Sequence, residues 1–154
     1  MTFLPTMRRV VATTLVLMVA TGAASAHVHT KPETVVAGTP ARVSFVIGHG
    51  CAGSPTTKVA IKIPSTVSKV TSVPPKGWKS TVNGSIVTFV GGPLPDKTKA
   101  LFGINFTAPL SAGPLAFATV QTCVKGETSW IQPTPANGKE PEYPAPVLLV
   151  TARK

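Results

Sequence analysis

The feature that most restricts this chain is an alternation of period two that runs from residue 27 almost to the end, cut at short intervals by proline and glycine. Lys58-Val59-Ala60-Ile61-Lys62-Ile63 sets β-branched residues against lysine and alanine, the pattern of a strand with one dry and one wet face, and Pro64 closes it. Arg42-Val43-Ser44-Phe45-Val46-Ile47 reads the same way. Asn83-Gly84 stands between two alternating runs, 78–82 and 85–90, and predicts a hairpin with a type I′ turn. Further strands are expected at 67–73, 100–107, 115–123, 128–131 and 147–151, with Gly/Pro loops over 91–97 and 109–114. Five prolines between 133 and 146 make that stretch an extended surface loop. No amphipathic helix pattern is present after residue 26. Eight or so short strands in one domain predict an all-β fold, an immunoglobulin-like antiparallel β-sandwich, with a closed barrel as the weaker option.

Residues 1–26 have a different character. Arg8 and Arg9 form a positive start, 10–20 an apolar core, and Ala24-Ser25-Ala26 a small-residue cleavage site, which together read as a cleavable secretory signal peptide. The apolar core is short for a membrane span, and the rest of the chain has no second run of spanning length. Cleavage after Ala26 leaves a mature domain of residues 27–154, one core's worth of chain, secreted or periplasmic. Its basic residues then number 13 against five acids, Glu33, Asp96, Glu127, Glu140 and Glu142. The lysines are spaced singly, as at Lys58, Lys62, Lys69, Lys79, Lys97 and Lys99, without a basic run or interleaved aromatics. They read as solvated strand positions and not as a nucleic-acid footprint.

The two cysteines, Cys51 and Cys123, form an isolated pair, which in an exported chain reads as a disulfide. Such a bridge ties His49-Gly50-Cys51 to the turn that leads into Glu127 and Trp130. The same cleavage site also creates a candidate metal ligand. His27 becomes the first residue, so its α-amine and imidazole Nδ1 can close a six-membered chelate ring on Cu(II). His29, as third residue, offers the competing square-planar mode through deprotonated backbone amides, which a strand starting at His27 disfavours because its amides are committed to a ladder. His49, in a Gly-flanked loop beside Cys51, is a further candidate.

A set of motifs spread over nearly the whole mature chain then carries a resemblance. His27-Val28-His29-Thr30-Lys31-Pro32, Ala37-Gly38, Gly50-Cys51-Ala52-Gly53-Ser54-Pro55-Thr56-Thr57-Lys58-Val59, Gly77-Trp78, Gly91-Gly92-Pro93-Leu94-Pro95-Asp96, Gln121-Thr122-Cys123 and Gly126-Glu127-Thr128-Ser129-Trp130 together resemble the YcnI-like copper-binding family. The resemblance implies an envelope β-sandwich that holds one Cu(II) by an N-terminal single-histidine brace, here His27. A glutamate from the loop after the second strand and a late tryptophan, here Trp130, complete the site. The glutamate has no counterpart: the chain reads Gly48-His49-Gly50-Cys51, which leaves His49 or Glu127 to replace it. Trp78, in a Pro-Pro-Lys-Gly turn, is expected to pack.

The expected function is an exported, non-catalytic Cu(II)-binding protein of copper homeostasis, acting as carrier, chaperone or sensor, with copper and another envelope copper protein or transporter as partners. Two other classes are weighed against it. A copper oxidative enzyme of the histidine-brace type needs a second imidazole and an open face, and a metal-free envelope module would bind anionic polymers in a salt-sensitive, chelator-insensitive way.

Overall fold

The computed structural model describes residues 27–135 and 138–154, so the expected signal peptide, 1–26, lies outside the described residues. Among the described residues, twelve strands make three sheets. The first sheet contains β1 (His29–Lys31), β3 (Pro40–Ile47), β8 (Ala100–Thr107) and β5 (Ser68–Val73), in that order. The second contains β11 (Glu127–Trp130), β10 (Thr119–Cys123), β4 (Thr56–Lys62), β7 (Ile86–Leu94) and β6 (Lys79–Asn83). A small third sheet joins β2 (Thr34–Val36), β12 (Val147–Thr151) and β9 (Gly113–Ala116). Among the described residues no helix is long and apolar enough to cross a membrane.

The alternation works as the sequence implies. In β4, Val59 and Ile61 are fully buried while Lys58 and Lys62 are exposed. In β3 and β8, Val43, Phe45, Phe102 and Ile104 turn into the same core. Phe89 of the second sheet meets Phe102 of the first edge to face at 5.4 Å, so the two large sheets pack inner face on inner face. Phe117, between β9 and β10, fills the space against Phe45 at 5.2 Å. The other singly spaced lysines, Lys69, Lys79, Lys97 and Lys99, are exposed like Lys58 and Lys62.

Four expectations are refined. The stretch 115–123 is two strands, because the chain changes sheet at Phe117-Ala118: Leu115 pairs with Leu148 in the third sheet, and Thr119 pairs with Ile61 in the second. Phe117 N–H donates to Pro146 O and Lys62 N–H to Ala118 O, so the crossing stays hydrogen-bonded. Second, β7 runs on through the expected loop to Leu94, with a register shift opposite Thr56 and Lys58. Gly91 makes that continuation possible, since a Cβ there would sit 2.8 Å from the Trp78 ring. Trp78 packs across it onto Phe102 at 4.9 Å. Third, Asn83 pairs with Ile86, so the hairpin turn is Gly84-Ser85, with positive φ at Gly84 alone, as a type II′ turn requires, and not the expected type I′. Fourth, β12 pairs with β2 in parallel, so the arrangement is not purely antiparallel.

Cys51 and Cys123 are joined, with Cα atoms 5.9 Å apart. Closing a loop of 72 positions is worth about 4 kcal/mol in the chain-entropy account. The bond belongs to an oxidising, extracytoplasmic compartment.

Candidate metal centre

The three residues after His27 fix its place. Val28 is buried in the core, His29 opens β1 in register with Val46, and the buried Thr30 donates its hydroxyl to Val147 O at 3.0 Å, tying β1 to β12. The His27 backbone is thus held two residues before the first strand, with its side chain only partly exposed. The imidazole has two neighbours. Its Nδ1 lies 3.0 Å from Glu140 Oε1, and its ring centroid is 5.9 Å from that of Trp130 in an edge-to-face arrangement.

Trp130 is buried on the inner side of β11, and its position is fixed by a polar chain. The indole Nε1–H donates to Gln121 Oε1 at 3.0 Å. Gln121 is itself 1% exposed and donates through Nε2 to Thr56 Oγ1 at 2.7 Å and to His49 O at 2.6 Å. Both N–H groups of that amide and its oxygen are engaged, which is what a buried glutamine requires. An indole nitrogen donates only, so Trp130 offers His27 the carbon surface of its ring. Tyr143 packs on Trp130 from another side at 5.6 Å.

Glu140 arrives on a clamped loop. Gln132 N–H donates to Tyr143 O at 3.0 Å, Ala145 N–H to Gln132 O at 2.9 Å, and Tyr143 N–H to Gln132 Oε1 at 2.6 Å, closing the base of the segment beside Trp130. The Glu142 carboxylate accepts a hydrogen bond from the Tyr143 hydroxyl and, with its charge, holds the phenol pKa above its usual value.

The other expected ligands have other partners. His29 is exposed on β1 and lines the same cleft, its Nδ1 3.5 Å from His27 O. With Val28 buried and His29 paired in β1, the chain there is built into the sheet, which disfavours the mode through deprotonated amides. His49 is linked to the cleft through its backbone carbonyl and Gln121, while its side chain lies in the field of Asp96. The Asp96 carboxylate accepts the Gly50 N–H at 2.8 Å, and that bond above all lowers its pKa; desolvation opposes it, and the Lys97 N–H and the charges of His49 and Lys97 add to the lowering. Glu127, three residues from Trp130 along β11, points to the opposite face and accepts from Thr122 Oγ1 at 3.1 Å. Among the described residues no three His, Cys, Asp or Glu side chains gather into a metal-holding group.

The cleft beside His27 has a volume of about 390 Å³. Its lining includes two imidazoles, His27 and His29, and two of the five acids, Glu33 and Glu140, and among its described lining residues there is no lysine or arginine. On a protein this basic, that is a local inversion of charge, suited to a cation. Sequence reading missed Glu140, Gln121 and Tyr143. The one local signal for Glu140 was a carboxylate in a proline-rich segment of a chain almost without acids; Gln121 stood within a motif of the resemblance, but its spacing, alternating with Thr119 and Cys123 like any inward strand residue, gave no sign of its role.

Fold and site together define an immunoglobulin-like β-sandwich with a cation-suited cleft at the start of its first strand. The chain belongs to the family described as "Domain of unknown function (DUF1775)", whose model matches residues 27–87 and 83–150. A crystal structure of an uncharacterized protein from Nocardia farcinica, described as revealing an immunoglobulin-like fold, is similar at 26% identity, covering 82% of this chain and 99% of that one, with a TM-score of 0.72. The seventh ScaB type I cohesin of Pseudobacteroides cellulosolvens is a looser likeness, at 8% identity over 82% of this chain and 84% of that one, with a TM-score of 0.44. No curated protein matches.

Proposed function

We propose that this protein is an exported Cu(II)-binding protein, a carrier or sensor that holds one ion at His27 once cleavage after Ala26 frees its α-amine. The observation that carries the reading is the placement of the His27 ring, against Trp130 in a cleft whose described lining includes two imidazoles and two carboxylates and no lysine or arginine. The donor chemistry fits: Nδ1 and the amine of one residue form a chelate of the nitrogen type that copper takes well. No trio of side chains is needed, because the backbone supplies one donor. Trp130, its N–H spent on Gln121, serves as an apolar wall and as a π-surface toward the ion. The resemblance to the YcnI-like family supports the same residues.

A carrier is favoured over an oxidative enzyme by the position of His49. Its imidazole acts on Asp96 and is not among the residues lining the His27 cleft, so that loop brings no second imidazole there, and the one that does line it, His29, has its Nδ1 at 3.5 Å from His27 O. The disulfide agrees with export. The test is a Cu(II) titration of processed protein whose mature N-terminus has been checked by mass spectrometry. One ion per chain is expected, with uptake lost in His27→Ala; a His27→Ala variant that binds as tightly as the parent would remove this reading.

A further inference from the structure

Resting on that copper reading, we propose that Glu140 is the carboxylate donor of the metal site, delivered from the proline-rich loop between β11 and β12. The loop after β3 carries no carboxylate, and Glu127 faces away from Trp130, so neither brings an acid to His27. Glu140 is already there, 113 residues away in sequence and 3.0 Å from Nδ1.

Its spacing is that of a co-ligand. With metal–nitrogen and metal–oxygen bonds of about 2.0–2.2 Å, two donors on adjacent corners of a square-planar ion lie roughly 3 Å apart. An ion bound by both atoms therefore needs little rearrangement of either side chain. The loop reaches this point because its base is fixed: the Gln132–Tyr143 hydrogen bonds and the Tyr143–Trp130 contact attach it to the residue that walls the site. One clamp thus sets the tryptophan and the carboxylate together. An anionic oxygen also lowers the net charge of a Cu(II) site otherwise built from neutral nitrogens, and Glu33 in the same cleft adds to the field.

A surface ion pair between Glu140 and a protonated His27 would show the same contact without any role toward metal, so the test reads the metal itself. Mature protein beginning at His27, its Glu140→Gln variant and its Glu127→Gln variant are titrated with Cu(II), and electron paramagnetic resonance spectra are taken at one equivalent. Removing a group that only hydrogen-bonds a ligand costs about 10–100-fold in metal affinity, so affinity alone does not decide. The expected result is a fall of about 100-fold for Glu140→Gln, with unchanged stoichiometry and shifted g and copper hyperfine values, and no change for Glu127→Gln. Because Glu140 is 63% exposed, the variant should melt like the parent without metal. A Glu140→Gln spectrum identical to the parent's overturns the assignment while leaving copper at His27 intact. Failure of the parent to take up Cu(II) overturns both.

Discussion

Gln121 shows how much of this site depends on one side chain that touches no ligand. Its amide joins the indole of Trp130 and the hydroxyl of Thr56, both nearly closed to solvent, and the part-buried carbonyl of His49. Replacing it by leucine keeps the volume but leaves a buried indole N–H and a carbonyl without partners. Leaving a buried group unsatisfied costs about 1–3 kcal/mol, so Gln121→Leu should lower stability by roughly 2–4 kcal/mol, read as a drop in the urea midpoint. A midpoint equal to the parent's would mean that the network contributes nothing net. Copper affinity should fall as well, because Trp130 loses the bond that orients it. None of this was legible in the sequence, where Gln121 is one polar residue inside a strand pattern. His27 and Trp130 were candidates in the sequence, the first from an expected cleavage site and the second from a motif, and the fold sets their rings 5.9 Å apart.

At the scale of elements, the strands were largely legible because a half-buried strand writes its two faces directly into the sequence, as Val59 and Ile61 against Lys58 and Lys62 do. What alternation does not carry is partnership. The run from 115 to 123 keeps its pattern while changing sheets at Phe117, and β7 continues through two glycines because their missing side chains make room for Trp78. That second case makes a prediction. Gly91→Ala would place a methyl group 2.8 Å from the Trp78 ring, and overpacking of this kind costs about 1–3 kcal/mol. Thermal melting should show the loss, and a Trp78→Leu background should recover part of it. An unchanged melting temperature for Gly91→Ala would show that the indole is not pinned against β7. Glu140 escaped the same style of reading for a related reason: its partner is set by loop closure at Gln132 and Tyr143, a tertiary event without a local spacing.

Over the whole molecule, charge is distributed with a purpose that totals conceal. Residues 27–154 are strongly basic, and their lysines cover outward strand faces, yet the cleft at the first strand gathers two of the five acids. The disulfide holds the His49 loop to β10, β10 holds Gln121, and Gln121 holds Trp130, so the sandwich presents His27 with a rigid wall on one side and the clamped loop of Glu140 on the other. The central claim is that the α-amine of His27 and its imidazole together hold Cu(II). The most direct measurement compares two otherwise identical proteins, one beginning at His27 and one retaining Ala26, by Cu(II) titration with paramagnetic resonance. One tightly held ion is expected for the first; for the second, in which the amine of His27 is an amide and the free amine of Ala26 can chelate only in another mode, weaker uptake with different g and copper hyperfine values is expected. Equal binding by the two would contradict the account.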